Sequence, residues 1–296
     1  MLGAGLLSAA GIGSSPEEPR PSDPSAPKAG YVDAGDAQLF YEEKGEGPPL
    51  VLLHGGFLDR RMWDPQLDAF AQSYRVIRYD ARNHGRSKGV AGRFTHYDDL
   101  LRLLDHLEIE KATLIGLSLG GRTIIDFAIA HPGRASTIVL VSPGAGGYEF
   151  RSEALKENGA QMGQAFRDRD LPGVVEFFQR SWTDGPTRSP SEVPPDVRDR
   201  VREMAIHTVE NWNLECVAKD LDPPAIDRLG EIRATTLAVV GDLDMPGILE
   251  IARAVEGNVA GARTVVIPGA AHMVNMEKPE EFNRVVLDFL EKTLPR

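Results

Sequence analysis

The feature that most constrains this chain is the alternation of short, mostly apolar runs with segments of helical periodicity. The apolar runs are PLVLLH, RVIRYD, ATLIGL, STIVLVS, TTLAVVG and RTVVIPG. Continuous apolar runs of this length are typical of strands buried on both faces of a sheet, which need helices above and below them. The alternation therefore predicts an α/β fold with a doubly wound, mostly parallel sheet.

Two parts of the chain depart from this alternation. An earlier segment, QLFYEEKGEG, alternates polar and apolar residues and ends in a turn signal, which predicts an edge strand close to a folded start near Gly30. After STIVLVS the strands give way to helical, charge-rich patterns that hold two tryptophans. We therefore expect residues 30–143 and 229–296 to form the core, and residues 144–228 to form a helical lid inserted over one end of the sheet.

The composition excludes several classes of function. The chain has 296 residues and a formal net charge of −11, so it lacks the electrostatic footprint of a nucleic-acid-binding protein. Its single cysteine, Cys216, excludes an intrachain disulfide and a thiolate metal cluster, and is expected to be a small buried residue. No apolar run approaches the ~20 residues that a membrane-spanning helix needs. The oligomeric state cannot be predicted from these features.

The first 29 residues differ in composition from the rest. MLGAGLLSAAGIG is small and apolar and resembles the apolar core of an export signal, with SAA at residues 8–10 as a candidate cleavage site, but without the basic segment that precedes such a core. Residues 14–29 are rich in Pro, Ser and charge and cannot bury enough apolar surface to fold. We interpret residues 1–29 as a disordered arm, or as the remnant of an export signal plus a linker. This interpretation slightly favours export over a cytoplasmic location.

One tight corner carries the strongest chemical signal. GLSLGG, residues 116–121, lies between a strand-like and a helix-like run, and G-x-S-x-G in that context is typical of a nucleophile elbow. The strained turn would lift the Ser118 hydroxyl clear of the sheet, with Gly116 and Gly120 providing clearance. The helix N-terminus behind it would offer free N–H groups to an oxyanion. The alternative is a tight turn in which Ser118 only caps the helix.

A catalytic serine needs a base, and the base needs an acid that orients it. His272 follows the last strand in GAAH, among small residues that leave room for an imidazole, and is predicted to be the base. Asp242 and Asp244 of GDLD are both candidates for the acid, and the one that does not orient the base is expected to form the turn. Among the remaining histidines, His96 is expected to face solvent, and His54 to fix the HGGF turn by hydrogen bonding.

These motifs together resemble those of the α/β-hydrolase superfamily, over nearly all of residues 30–296. The matching pieces are HGGF at 54–57, YDARNHGRS at 79–87, GLSLGG at 116–121, GDLD at 241–244 and GAAHMVNMEKP at 269–279. The resemblance implies that Ser118 is the nucleophile, His272 the base and Asp244 the acid.

The resemblance also implies an oxyanion hole and a source of substrate contacts. The backbone N–H groups of Gly56 and Leu119 would hold the oxyanion, with Phe57 in place of Gly56 if the turn is one residue longer. Apolar contacts to the substrate would come from four residues, Phe57, Trp182, Trp212 and Met245, although the two tryptophans would instead pack inside the lid in an alternative interpretation. An apolar pocket with few polar groups favours uncharged, moderately hydrophobic esters.

The resemblance further narrows the chemistry. A serine nucleophile excludes haloalkane dehalogenases and epoxide hydrolases, which carry Asp at that position, and the HGGF turn lacks the glycine-rich extension of C–C hydrolases that act on meta-cleavage products. Small serine esterases and enol-lactonases remain the most similar group, followed by cofactor-free haloperoxidases and perhydrolases. The implied substrate is a small-molecule ester or lactone, cleaved without metal or other cofactor. A hydrolase-like ligand-binding regulatory protein is the alternative from another class.

Overall fold

The computed structural model describes residues 26–293 of the chain. Within this part the strands are β1 (Lys28–Asp33), β2 (Gln38–Lys44), β3 (Pro49–Leu53), β4 (Arg75–Tyr79), β5 (Gly92–Phe94), β6 (Ala112–Leu117), β7 (Ala135–Val141), β8 (Cys216–Ala218), β9 (Thr235–Gly241) and β10 (Arg263–Ile267). The α-helices are α1 (Asp64–Phe70), α2 (His96–His106), α3 (Leu119–Ala130), α4 (Glu153–Asp168), α5 (Leu171–Phe178), α6 (Pro195–Glu210), α7 (Pro246–Asn258), α8 (Val274–Glu277) and α9 (Pro279–Thr293). The predicted export segment lies outside the described residues.

The main sheet has eight strands in the order β1-β2-β4-β3-β6-β7-β9-β10. From β4 to β10 every neighbouring pair is parallel, whereas β2 runs antiparallel to both β1 and β4. Every apolar run singled out in the sequence forms one of these strands. The predicted doubly wound, mostly parallel sheet is therefore confirmed.

The helices cover both faces of the sheet. In β3, Val51 and Leu53 pack with residues of α2, α3 and α7, whereas the alternating Leu50 and Leu52 pack with residues of α1 and α9 on the other face. All four of these leucine and valine side chains are at most 2% exposed. Burial on both faces explains why the strand sequences are continuously apolar instead of alternating.

The edge strand differs from the prediction. QLFYEEK forms β2, which is an interior strand because KAGYVD adds β1 outside it, with Tyr31 opposite Phe40. The folded part thus reaches back to Lys28, into the segment predicted to be a linker. Lys, Ala and Gly have weak strand propensity, so β1 gives little signal of its own and owes its conformation to pairing with β2.

The chain between β7 and β9 holds the predicted helical insertion. It contains α4, α5 and α6, and also the short strand β8, which begins at the buried Cys216 and pairs in parallel with β5 as a separate two-stranded sheet. Two ring side chains from this insertion, Phe150 and Trp182, contact each other at 5.8 Å between centroids. Within the described residues no helix has the length and apolarity required to cross a lipid bilayer.

Candidate active site

Ser118 occupies the corner between β6 and α3. Its backbone lies at φ 55° and ψ −107°, a region that costs a non-glycine residue about 1–3 kcal/mol and recurs at functional sites. Ser118 stands at the N-cap position of α3, yet its side chain makes no capping hydrogen bond. The structure thus removes the alternative in which this serine is only a helix cap.

Two glycines allow the corner to form. A Cβ atom at Gly116 would lie 2.5 Å from the carbonyl carbon of Gly120, and one at Gly120 would lie 2.3 Å from the carbonyl oxygen of Leu53. Both distances are far below van der Waals contact and involve backbone atoms that cannot swing away. The close approach of strand, turn and helix therefore requires the glycine spacing of the motif.

The loops after β9 and β10 bring an acid and an imidazole together. Nδ1 of His272 lies 3.1 and 3.0 Å from the two carboxylate oxygens of Asp244, and both residues are buried, at 2% and 3% exposure. Asp242, the competing acid, instead accepts a hydrogen bond from the backbone N–H of Gly269 at 2.7 Å. The geometry pairs Asp244 with the imidazole and leaves Nε2 of His272 as the nitrogen that can take up a proton.

Ser118 and His272 line the same cavity, which has a volume of about 410 Å³. The ring of Trp182 stacks against the imidazole of His272, with centroids 4.7 Å apart and planes inclined at 41°. Trp182 belongs to the helical insertion, so the insertion covers one face of the imidazole. This contact restricts how the ring can turn while Asp244 holds its Nδ1 atom.

The two predicted oxyanion donors line this cavity as well. Leu119 is the first residue of α3, so its N–H has no acceptor within the helix. Gly56 lies in the HGGF turn, which approaches the corner closely, since a Cβ atom at Gly55 would lie 3.6 Å from Cβ of Ser118. The turn bends through Phe57, whose φ is 58°. Gly56 and Leu119 therefore line the same cavity as Ser118, and their role as oxyanion donors stays a prediction.

Most of the cavity wall is apolar. The ring of Phe57 packs edge-on against Phe178 at 5.3 Å and Trp212 at 5.2 Å between centroids, and all three residues line the cavity together with Trp182. The structure thus brings both tryptophans to the cavity and does not bury them only within the insertion.

Met245 does not fit the prediction of a substrate contact. Its side chain is 1% exposed and packs in the core with residues of α3 and α7, and Met245 is not among the described residues that line the cavity. Met245 is the residue directly before α7, and at this position its side chain enters the core. Met273, which follows His272 and was not predicted, lines the cavity instead.

His54 fixes the turn that carries Gly56. Its Nδ1 lies 2.8 Å from the carbonyl oxygen of Gly55, and its Nε2 lies 2.8 Å from the backbone nitrogen of Ala81. Burial lowers the pKa of His54, so the ring is neutral and can donate at Nδ1 while accepting at Nε2. These contacts join the HGGF turn to the loop after β4.

His96 faces the cavity, so the prediction that it faces solvent was wrong. It is half-buried at the start of α2, with its ring 4.9 Å from that of Phe94. Burial, reinforced by nearby positive charge, lowers the pKa of His96 to about 3, so the ring is neutral at physiological pH. The sequence could have predicted that His96 faces inward. It precedes the buried Leu100 and Leu103 at helical spacing and so lies on the same face of α2.

A buried ion pair that sequence reasoning missed links the insertion to the His272 loop. Arg188 donates to both carboxylate oxygens of Glu277, at 2.6 and 3.2 Å, and the side chains are only 8% and 1% exposed. Glu277 also accepts the backbone N–H of Ala271 at 3.0 Å, immediately before His272. The pair therefore fixes the loop that carries the imidazole.

Replacing Arg188 with methionine is expected to lower the free energy of unfolding by about 3–5 kcal/mol, because it leaves the Glu277 carboxylate buried without its cation. Urea denaturation followed by circular dichroism measures this loss. Arg284→Met is the matched control, since Arg284 and its partner Glu281 are 64% and 40% exposed, and should cost less than about 1 kcal/mol. Equal losses in the two variants would show that the buried ion pair contributes no more to the free energy of unfolding than the exposed one.

Asp126, on α3, is a buried acid beside the cavity. It is 4% exposed, and among the described residues its Oδ1 has no hydrogen-bond partner. Burial raises the pKa of Asp126 from 3.8 to about 7, with the charge of Arg122 opposing this rise and that of Asp220 adding to it. The carboxyl group is therefore partly protonated at neutral pH.

The raised pKa of Asp126 predicts a specific pH dependence of stability. Because the folded state binds this proton more tightly than the unfolded state, the resulting stabilisation is present at low pH and is lost as pH rises. With pKa values of 3.8 and about 7, the free energy of unfolding should fall by about 2–3 kcal/mol between pH 5 and pH 8 in the wild type relative to Asp126→Asn. Urea denaturation at both pH values measures the difference, and parallel curves for the two proteins would contradict it.

Comparison with known proteins places this fold and site in a family. Residues 50–285 match the sequence profile of the alpha/beta hydrolase family. The match covers most of the chain, and the sheet order and elbow agree with it. The chain therefore belongs to the α/β-hydrolase family.

The relatives of this chain include hydrolases of more than one kind. A 2-hydroxy-6-oxo-6-phenylhexa-2,4-dienoate hydrolase from Comamonas testosteroni is 29% identical over 291 residues, covering 90% of this chain and 95% of the relative. Among solved structures, the enol-lactonase from Burkholderia xenovorans LB400 is 27% identical with a TM-score of 0.70, covering 88% of this chain and 100% of the other. A thermophilic esterase from Thermogutta terrifontis is 26% identical with a TM-score of 0.72, covering 90% and 99%.

Proposed function

We propose that this protein is a serine hydrolase that cleaves a small-molecule carboxylic ester or lactone through an acyl-enzyme. The observation that carries the proposal is the buried contact of Asp244 with Nδ1 of His272, a residue that lines the same cavity as the strained, uncapped Ser118. This arrangement supplies a nucleophile, a base and an acid in the chain order of the family. A role in ligand binding alone would not require the acid.

In the proposed mechanism the Ser118 oxygen attacks the ester or lactone carbonyl while Nε2 of His272 accepts the hydroxyl proton. Asp244 holds the imidazole in the tautomer with hydrogen on Nδ1 and stabilises the imidazolium that forms. The tetrahedral oxyanion is held by backbone N–H groups of Gly56 and Leu119, and the loss of one such donor costs about 3–4 kcal/mol in comparable enzymes.

Loss of the alcohol completes the first half of the reaction, and the second half repeats these steps with water. His272 gives its proton to the leaving alkoxide, which breaks the acyl–oxygen bond and leaves the acyl group on Ser118. The imidazole then takes a proton from water as the water oxygen attacks the acyl carbonyl. When the bond between the acyl group and the Ser118 oxygen breaks, the imidazolium returns this proton to that oxygen, which releases the acid product and restores both residues. The apolar wall around Phe57, Trp182 and Trp212 holds the remainder of the substrate by burial.

Carbon–carbon bond hydrolysis is the second candidate, because the Comamonas testosteroni relative carries the name of a hydrolase of a 2-hydroxy-6-oxo-dienoate. The residues proposed for ester cleavage do not by themselves exclude it. Peracid formation from acetate and peroxide is a further alternative that would use the same residues.

A substrate panel separates these reactions. It contains p-nitrophenyl esters of several acyl lengths, an enol-lactone, an N-acyl homoserine lactone, 2-hydroxy-6-oxo-6-phenylhexa-2,4-dienoate, and acetate with hydrogen peroxide. The proposal expects kcat/KM to be highest for an ester or lactone. If the dienoate is turned over and no ester or lactone is, the protein is a C–C hydrolase instead. Peroxide-dependent activity in acetate but not phosphate buffer would favour the perhydrolase. Binding without turnover of any member would favour a regulatory protein.

A further inference from the structure

Apart from Ser118, His272 and the buried His84, the polar side chains among the described residues that line the cavity lie at one end, next to a small adjoining cavity that Arg122 and His96 also line. Of the described residues that line the main cavity, Arg122 is the one with a permanent charge, and the neutral His96 lies at the same end. Arg122 is 34% exposed in its side chain. A cation placed in an otherwise apolar wall is costly unless something anionic meets it there.

Arg122 lies one helical turn after the proposed nucleophile. Its backbone N–H donates to the carbonyl oxygen of Ser118 at 2.9 Å. Its side chain lines both the main cavity and a small adjoining one of about 40 Å³, which His96, Asp126 and Asp220 also line. The backbone of Arg122 lies one helical turn, about 5.4 Å, from that of Ser118, and both residues line the main cavity, so one small substrate could contact both.

The present partner of Arg122 is Asp220, whose side chain is 46% exposed. Asp220 follows β8 in a stretch of the insertion without regular secondary structure. An ion pair this exposed contributes at most about 1 kcal/mol, so another carboxylate can replace Asp220 at little cost. The planar guanidinium suits a carboxylate, because it can donate two parallel hydrogen bonds to it.

We propose that Arg122, with His96 beside it, binds a carboxylate on the acyl part of the substrate and that Asp220 occupies this position until the substrate arrives. This inference rests on the proposed function and narrows its substrate class to esters or lactones that carry a carboxylate a few bonds from the scissile carbonyl. It revises the expectation, drawn from the sequence, that the pocket favours uncharged esters.

The groups around Arg122 are compatible with an incoming anion. Asp126 is partly protonated at neutral pH because burial raises its pKa to about 7, so it repels an anion less than an ordinary carboxylate would. The pKa of His96 is about 3, so this ring remains neutral and can donate or accept a hydrogen bond. Lys219, which also lines the adjoining cavity, adds a positive charge next to Asp220.

The test compares substrates that differ in one charge. Mono-p-nitrophenyl succinate, glutarate and adipate are each paired with the ester whose free carboxylate is replaced by a carboxamide, and kcat/KM is measured from nitrophenolate release. The wild type should favour the carboxylate in at least one pair. In Arg122→Met the carboxylate-to-carboxamide ratio for that pair should fall by about 30-fold, the loss expected for a charge-assisted contact.

Two further variants keep the test decisive. Asp220→Asn should raise the same ratio several-fold by removing the competing carboxylate, a gain that cannot come from misfolding. Arg228→Met, which removes the cation of the Arg228–Glu231 pair outside the cavity, should leave the ratio unchanged. A ratio that Arg122→Met does not change, or a wild type that favours the carboxamide in every pair, would overturn the inference while leaving the serine hydrolase intact. Absence of turnover on all six esters, with turnover of an ester or lactone of the substrate panel, would also overturn the inference and leave the serine hydrolase intact. Absence of turnover on every ester and lactone would overturn both.

Discussion

Ser118→Ala is expected to reduce kcat/KM for the best ester or lactone substrate by about 10⁵- to 10⁶-fold, the range seen when the nucleophile of a catalytic triad is removed. The loss should lie almost entirely in kcat, because the hydroxyl group forms a bond only as the reaction proceeds and contributes little to ground-state binding. Steady-state kinetics with p-nitrophenyl esters measure it. Circular dichroism and urea denaturation should show an unchanged fold, since the Ser118 side chain makes no capping hydrogen bond.

Ser142→Ala is the matched control for this experiment. Ser142 also follows a strand of the central sheet and also has a positive φ, at 41°, but its side chain is fully buried and it does not line the cavity among the described residues. Its replacement should change kcat/KM by less than about threefold, as expected of a residue without contact to the substrate. If Ser118→Ala retained wild-type activity, or if both serine variants lost activity equally, Ser118 would not be the nucleophile.

The second large effect concerns the acid. Asp244→Asn should lower kcat by about 10⁴-fold, because an amide at this position can donate to Nδ1 and so favours the tautomer of His272 that carries its hydrogen on Nε2. That tautomer cannot accept the proton of Ser118. The loss is measured as activity over a range of pH, together with the initial burst of nitrophenolate. These measurements distinguish slower acylation from weaker substrate binding.

Asp242→Asn provides the comparison within the same turn. Asp242 accepts the N–H of Gly269 and has no contact with His272 among the hydrogen bonds of the described residues. The amide oxygen of Asn can still accept from Gly269, so kcat should remain within about threefold of the wild type. A larger loss for Asp242→Asn than for Asp244→Asn would reverse the two roles.

The central sheet could be predicted from the sequence because its strands are buried on both faces. PLVLL and ATLIGL are almost entirely apolar and have the short length that is typical of buried strands. β1 could not be predicted, since Lys28, Ala29 and Gly30 form a strand only through pairing with β2. Its stability comes from a tertiary contact that local sequence does not encode.

The candidate site was predictable to different degrees for physical reasons. The roles of Ser118 and His272 could be predicted from a short motif and from the order of residues along the chain, neither of which requires knowledge of the fold. The residues themselves left Asp242 and Asp244 open as the acid, because the path of the loop determines which of the two side chains meets the imidazole. The choice of Asp244 came from the family resemblance. Arg188 lies in the stretch DGPTRSPSEVPPD and pairs with Glu277, 89 residues away. A contact over this separation leaves no periodic pattern in the sequence from which it could be predicted.

The acyl-enzyme is the most direct test of the proposed mechanism. Wild-type protein would be mixed with an excess of a p-nitrophenyl ester, quenched in acid within the first turnover, and analysed by intact mass and peptide mapping. The proposed mechanism predicts a mass increase equal to that of the acyl group less the hydrogen that it replaces, located on the peptide that contains Ser118 and absent from Ser118→Ala. An acyl group on another residue, or a stoichiometric burst of nitrophenolate from a protein that carries no acyl group, would contradict it.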